Sequence, residues 1–493
     1  MRRVACAALC LASACAAPGP AHPPRPPATT PASSASADVD GWRKQIPKAG
    51  PAAAIVYPVP ESEQLKNGLT LLVMKRPAAV ASLSLVVRHG ASSSPQGQSG
   101  VAALTARMLT EGTTTRSSSA LAEAAESLGS ALEHDAGRDY SMVGIETLSA
   151  DVEQGLALLA EVAQKPAFAP KELERVRGEW LDGLAAERQT PDRLASLAGL
   201  RLLLGEPNGA PVGGSVPDVK KLTVRDLTAF HRRHWVPGES ALVVVGDVSL
   251  SGVRDAAERA FGGWKPAPAP TTAPAPTPAP PDKTRVVMVN RPGAVQSALF
   301  VAQPLAKRSD AGHEARQLMS SLLGGLFTSR INQNLREKNA FTYGARSDAV
   351  ATRHWGALVV TTRVESAVTA PALRELVGEL ARARDPKRGA PITDEEVARA
   401  RADLISSLGA RLIAVDRLAA DVGSSFALGL PPSTSSELPQ RLTAQSTAAV
   451  AAEAARIDEQ RLVVVIVGDQ ASVKPALEAA GFEVREAAAE LTW

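Results

Sequence analysis

His231 and His234 stand one helical turn apart in "FHRRHWVP", a spacing that lets two imidazoles on a predicted helix share a metal ion. The competing reading is a solvated helix end rich in arginine, and the other five histidines, His22, His89, His134, His313 and His354, supply no further ligand in a recognisable spacing. Nucleophiles are scarcer still. All three cysteines, Cys6, Cys10 and Cys15, fall in the first fifteen residues, so the rest of the chain offers neither a thiolate nor a disulfide. The loop "RHGASSSPQGQSG" holds serines and glycines but no G-x-S-x-G elbow and no placed base. His134, Asp135 and Asp139 in "HDAGRD" read as a loop and the start of a strand.

The most specific stretch is "LMSSLLGGLFTSRINQNLREKNAFTYGARSDA", residues 318–349. It predicts a helix ending at Gly324-Gly325 and a second one starting from Thr328 or Ser329 as N-cap. The second runs through "INQNLREK" to Asn339, expected as a left-handed cap. "FTYGARSDA" then reads as a strand. Arg336 falls in the last helical turn, where a cation suits the helix dipole, and Tyr343 falls on the strand. As an isolated pair they read as a surface arginine and a half-buried strand tyrosine.

The whole stretch resembles the pitrilysin/insulinase family of zinc peptidases, the inverzincins, whose second domain carries L-G-G-x-x-x-S-R-[LI]-x-x-x-L-R-E-K-x-x-x-x-Y. The resemblance runs over nearly all of residues 55–475 and takes in "NGLTLLV", "EPNGAPVGG", "FHRRHWVP" and the two strands that end in Gly-Asp. It implies that Arg336 and Tyr343 hydrogen-bond a substrate carbonyl and that the tyrosine hydroxyl stabilises the oxyanion formed on it. Active members carry H-x-x-E-H in the first domain, with two zinc-binding histidines and a glutamate as general base. Aligned on "MLTEGT", those positions are Ala103, Ala106 and Arg107, and the family's distal glutamate ligand falls on Gly183, with Glu179 and Glu187 nearby. A cation at position 107 would repel Zn²⁺; the arginine reads as free to drift or as paired with an acidic neighbour.

This combination, a blank metal half beside an intact arginine-tyrosine half, resembles the family's two-chain enzymes. It implies a metal-free subunit that is not a peptidase alone, with no cofactor of its own. The zinc is expected on an H-x-x-E-H-bearing homologous partner subunit, and the substrate is expected to be an unfolded or short peptide. The alternative is a non-catalytic peptide-binding or scaffold protein of the same descent. An unrecognised metal-independent site has no activated nucleophile to support it.

The elements that must position these residues come in two sets. "AVASLSLVV" from Ala79 matches "AVQSALFVA" from Ala294 at the interval that also separates Arg76-Pro77 from Arg291-Pro292. "FAPKELERVR" matches "ITDEEVARAR", and Gly246-Asp247 matches Gly468-Asp469. Ordered matches at so long a period imply two homologous domains rather than a solenoid. Each reads as alternating strands interspersed with helix pairs. The expected class is α+β, an α/β sandwich in which each domain is a mostly antiparallel sheet covered by helices, the two forming a clamshell. The expected bounds are 51–265 and 283–493, joined by a Pro/Ala linker at 266–282.

The chain has 493 residues, enough for several cores. Its net charge of +3 gives no electrostatic case for nucleic acid. "MRRVACAALCLASACAAPGP" has a basic start, a short apolar run and small residues before Cys15, the pattern of an export signal. Residues 1–15 resemble a lipoprotein signal with Cys15 as the lipidated residue; an ordinary signal cut near Ala17 is the other reading. Residues 16–50, rich in Pro, Ala and Ser, read as a disordered spacer. The expectation is an exported protein of the cell envelope, in the periplasm or at the outer membrane, held to a membrane by lipid only.

Overall fold

Among the described residues, twelve strands build two sheets. The first contains β1 (Glu61–Gln64), β2 (Thr70–Lys75), β3 (Val80–Val87), β4 (Glu133–Ala136), β5 (Ser141–Leu148) and β6 (Ser240–Gly246), in the order β1-β2-β6-β3-β5-β4. The second contains β7 (Arg285–Asn290), β8 (Gln296–Leu305), β9 (Ala345–Ala351), β10 (Gly356–Glu365), β11 (Val463–Gly468) and β12 (Val484–Glu486), in the order β12-β7-β11-β8-β10-β9. The β2–β6, β7–β11 and β7–β12 pairs are parallel and the other neighbours antiparallel. This computed structural model describes residues 55–268 and 277–487. The export signal, Cys15, the spacer at 16–50 and the middle of the 266–282 linker lie outside the described residues. The described residues form one compact unit, and the fold is α+β.

The strand sequences explain the layering. In β3, Ala81, Leu83, Leu85 and Val87 face helices of their own half, while Val86 faces the opposite way. In β2, Leu71 and Val73 take one face and Leu72 and Met74 the other. Every residue of β6, "SALVVVG", is buried, as expected of a strand covered on both faces. The second cover comes from the other half of the chain. Helix Val415–Ala427 lays Leu418, Ala419 and Val422 on Met74, Val86 and Val243 of the first sheet. Reciprocally, helix Pro191–Leu204 lays Ala195, Ala198 and Leu203 on Phe300, Ala357 and Val465 of the second.

Both crossing helices carry a glycine where they meet the sheet. A Cβ on Gly199 would lie 2.1 Å from Phe300 Cδ1, and one on Gly423 would lie 2.9 Å from Val86 Cγ2. The two glycines are separated by the same interval as Phe168 and Ile392, the starts of the matched "FAPKELERVR" and "ITDEEVARAR" segments.

The strand register corrects the sequence alignment by one residue. Leu83 pairs with Val244 and Leu299 pairs with Ile466, each partner standing two residues before its Gly-Asp. Leu83 therefore corresponds to Leu299, not to Ala298 as the direct match of "AVASLSLVV" with "AVQSALFVA" implied. The extra residue sits in the turn before β8, where Gly293 takes φ 73. Because a one-residue slip exchanges the faces of a strand, the uncorrected match would set core residues against residues that meet the crossing helix.

Gly199→Ala should lower stability by about 1–3 kcal/mol through overlap with the Phe300 ring, despite the better helix propensity of alanine. Gly183→Ala, on an exposed helical face with no heavy atom within 4 Å of the new Cβ, should raise stability by about 0.5–1 kcal/mol. Urea unfolding of the two variants checks the pair; equal effects would contradict the close approach.

Candidate functional site

The helix His313–Ser320 runs into a π-helical turn, Ser321–Gly325. There a Cβ on Gly324 would lie 2.6 Å from that of Ser347, so glycine lets the turn press against β9. A second helix begins at Arg330 with Ser329 as N-cap and continues as a π-helical stretch, Gln333–Lys338. It ends differently from expectation. Asn339 stays right-handed and returns its side-chain amide to the carbonyl and side chain of Asn334, at 3.0 and 2.7 Å, and the left-handed residue is Ala340, φ 53.

Tyr343 is likewise not on a strand. β9 starts at Ala345, after a loop tied by Thr362 Oγ1, which donates to Thr342 Oγ1 at 2.9 Å and to the Gly344 carbonyl at 3.0 Å. The tyrosine is 93% exposed, where a half-buried one was expected. Arg336 places its guanidinium 4.1 Å from the centre of the Phe327 ring, a cation–π contact. Its Nε lies 3.5 Å from Glu337 Oε1. Arg336 and Tyr343 share a groove of about 890 Å³ with Ser321, Gly325 and Asn332.

The residues that the sequence resemblance sets at the family's metal positions lie in the first half. Ala103 and Ala106 are buried on helix Val101–Leu109, and Arg107, on the same helix, is half-buried. Arg107 lines a pocket of about 450 Å³ with Gly183, Glu179, Trp180 and Glu187, so the structure brings Arg107 and Gly183 together. Arg107 is ion-paired with the buried Glu111, donates to Thr110 Oγ1 at 3.1 Å, and lies 3.8 Å from Glu179. Glu111 also takes an ion pair from Arg175 and a 3.0 Å hydrogen bond from Ser118 Oγ. Zinc does not fit this set: two methyl groups, a guanidinium already engaged with a carboxylate, and a glycine supply no donor. Nearby His134 is held below its ordinary pKa, first by burial and then by the Arg107 charge.

The H-x-x-H pair is not a solvated helix end. Arg232 and Arg233 face solvent, whereas His234 is buried against Phe230 and His89, at 4.5 and 4.4 Å between ring centres. His231 Nε2 donates to the Ala163 carbonyl at 2.8 Å and its ring meets Phe168 and Trp235. The two imidazoles thus turn to different partners. Among the described residues no group of three or more His, Cys, Asp or Glu could hold a metal.

A family model described as insulinase, peptidase family M16, matches residues 69–197, and one described as the M16 inactive domain matches residues 221–404. The chain belongs to peptidase family M16. An uncharacterized zinc protease of Rickettsia felis is 24% identical over 370 residues, covering 74% of this chain and 86% of that protein. The crystal structure of an M16 inactive domain from Pseudomonas fluorescens aligns with a TM-score of 0.76 at 25% identity, over 83% of this chain and 98% of that one. The first half of the periplasmic protease PqqL from Escherichia coli aligns with a TM-score of 0.68 at 18% identity, over 87% of this chain and 98% of that one. Among the described residues of this M16 chain, no helix is long and apolar enough to cross a membrane.

Two outcomes follow from this geometry. The purified chain should retain no equivalent of zinc after dialysis; metal analysis finding one tightly held zinc per chain would overturn the reading of Ala103, Ala106, Arg107 and Gly183. Burial pushes His231 down to about 4 and His234 and His313 down to about 3, from an ordinary 6.5. As pH falls the unfolded chain takes up these protons first, so the stability they contribute is complete above about 6.5 and drains away toward 4. The melting temperature should therefore drop between about pH 6.5 and 5, before ordinary carboxylates titrate, and a flat profile there would contradict the buried neutral imidazoles.

Proposed function

We propose that this chain is the metal-free subunit of a two-chain M16 peptidase of the cell envelope, supplying Arg336 and Tyr343 to a partner chain that carries H-x-x-E-H and the zinc. The observation that carries the reading is the contrast between the two halves. At the degenerate metal positions every charge is engaged internally: Arg107 and Arg175 close on Glu111. In the groove of the second half the opposite holds. The Tyr343 hydroxyl has no hydrogen-bond partner among the described residues, and Arg336 is held by a ring and one exposed carboxylate, which leaves guanidinium donors free. Exposed Tyr and Arg side chains of this kind are the types that dominate binding once a partner covers them.

The chemistry assigned to the pair is the recognition of a peptide carbonyl. As negative charge develops on the carbonyl oxygen, the phenol donates a hydrogen bond to it, and the guanidinium adds donors and a positive charge. Such contacts gain strength where a closed chamber excludes water. The Phe327 ring, 4.1 Å from the guanidinium, favours its placement in the groove. The periplasmic location of the PqqL relative supports an exported protein, and Cys15 remains the candidate lipid attachment site.

The test is peptide hydrolysis by this chain mixed with an H-x-x-E-H homologue from the same organism. Tyr343→Phe should lower kcat by about 10²–10³-fold with little change in KM. Arg336→Ala should affect both, because the guanidinium also holds the ground state. Thermal unfolding of each variant controls for stability. An active mixture indifferent to Tyr343→Phe removes the catalytic role, and a mixture inactive with every homologue and peptide tried favours the peptide-binding or scaffold reading.

A further inference from the structure

Helix Val224–His234 buries Leu227, Phe230 and His234 and turns Arg225, Ala229 and Arg232 to solvent. Arg225 and Arg232 are two turns apart and so share one face. The exposed Lys220 and Lys221 end the short helix Val216–Lys221 just before it. None of these four side chains has an ion pair or hydrogen bond among the described residues. Elsewhere exposed arginines such as Arg175, Arg259, Arg399 and Arg485 each meet a carboxylate. The acids beside the four cations are taken up locally. Asp226 accepts from the Thr223 N–H at 2.8 Å and from Gln98 Nε2 at 3.2 Å, Asp218 accepts from the Ser99 N–H at 3.1 Å, and Glu174 pairs with Arg177 at 3.1 Å.

The second half carries the same helix without the charge. Helix Thr447–Ala454 starts at Ser446, whose side chain accepts from the Ala449 N–H as that of Thr223 accepts from the Asp226 N–H. Thr223 therefore corresponds to Ser446, and Leu227 and Val450, matched on this register, are both fully buried. On the same register Thr443, Ala444, Ala448 and Ala455 stand where the first half has Lys220, Lys221, Arg225 and Arg232. The fold is thus built once without these cations, so packing does not require them, and with no acid in reach they add mutual repulsion rather than helix-surface pairs.

We propose that Lys220, Lys221, Arg225 and Arg232 dock this face of the first half on the surface of a membrane that contains anionic phospholipid. The negative potential of such a surface attracts each lysine and arginine held close to it, and clusters of about four to eight suffice for recognition. An acidic protein is the less favoured occupant. Protein-binding patches centre on large apolar or aromatic anchors, and none of the exposed large apolar side chains, among them Val56, Val80, Leu148, Val295 and Ile413, lies on these two helices. A layer of phosphates needs no anchor, only charge on an open ridge. The docking uses none of the residues assigned to peptide hydrolysis and needs neither a zinc subunit nor a lipid on Cys15.

The test is co-sedimentation of the full chain, carrying Cys15→Ser so that no acyl group contributes, with vesicles of phosphatidylcholine alone or with phosphatidylglycerol at about one lipid in three. The chain should pellet with the anionic vesicles and stay in solution with the neutral ones. Raising the salt from about 0.1 M to 1 M shortens the screening length from about 10 Å to 3 Å and should release it. Lys220→Gln, Lys221→Gln, Arg225→Gln and Arg232→Gln should each weaken partitioning by about fivefold, and all four together by on the order of 10²-fold or more, at unchanged melting temperature. A variant that removes the same charge elsewhere, with Lys75, Arg259, Arg399 and Arg485 changed to glutamine, should bind nearly as well as the parent. No binding, equal binding to both vesicles, or an equal loss in the two four-residue variants would overturn the proposal. So would retention on immobilised poly-glutamate, lost with the first four substitutions, by a chain that ignores anionic vesicles, since that assigns the face to an acidic protein.

Discussion

Each sheet depends on a helix from the other half of the chain to cover one of its faces. The first sheet turns Leu72, Met74, Val243 and Val245 away from its own helices, and these residues meet helix Val415–Ala427. The second turns Ala298, Phe300, Val465 and Val467 toward helix Pro191–Leu204. At about 1.5–3 kcal/mol for each fully buried large apolar side chain, either face left open would cost more than a marginally stable fold has in reserve. The halves therefore cannot separate without losing both covers. Polar contacts then fix their register: the Arg353 N–H donates to Asp139 Oδ2 at 3.0 Å, its Nη1 to the Arg88 carbonyl at 2.9 Å, and Tyr57 Oη to Asp421 Oδ2 at 2.7 Å. Burial raises the pKa of Asp139, as expected for a carboxyl drawn into that junction. The groove of the second half is thus held relative to the Arg107–Glu111 cluster of the first by the core itself.

Much of this was legible in residue order, because strand alternation and the matched Gly-Asp ends are local patterns. The exchange of helices was not. An amphipathic helix declares that it has an apolar face, not which sheet that face covers, and the glycines at 199 and 423 acquire meaning only once Phe300 and Val86 are seen beneath them. The register error between β3 and β8 has an equally physical source, since a single residue added in the turn at Gly293 leaves the hydrophobic content of both strands unchanged while exchanging their faces. The histidine pair misled through its neighbours. Arg232 and Arg233 suggested a solvated end, although Leu227, Phe230, His231 and His234 fall on one helical face that continues the core. The i,i+4 pairing of Arg107 with Glu111 could be read directly; Arg175, which completes the cluster, required the fold.

The placement of Tyr343 shows how a side chain decides where a strand begins. "FTYGARSDA" has strand-like composition, yet a strand needs partners for its outward main-chain groups, and the first such partner is Asn332 at Ala345. The residues before it are drawn into a loop by Thr342 and Thr362, and that loop lifts Tyr343 into solvent. A hydrogen bond from the preceding helix replaces the ladder that the strand-like composition implies.

The two halves also differ in where they depart from regular structure. Around Arg107 the helices are regular, with left-handed Phe168, φ 43, just before the one that carries Arg175, and the Glu111 carboxylate buried between two guanidinia is stable only while both partners remain. The second half gathers more departures that stability alone does not favour. Ala340 is left-handed, which costs an L-residue about 1–2 kcal/mol. Two π-helical stretches replace tighter α-turns, and Phe327 and Tyr343 stand 59% and 93% exposed. Irregularities of this kind cluster at functional sites, where the surrounding structure over-determines them. Here the π-helical stretches and both exposed rings border one groove that also holds Arg336, with Ala340 in the loop that leads to Tyr343. A half shaped only to support its neighbour has no need of exposed rings and unpaired donors gathered in one groove, whereas around Arg107 the charges close on one another.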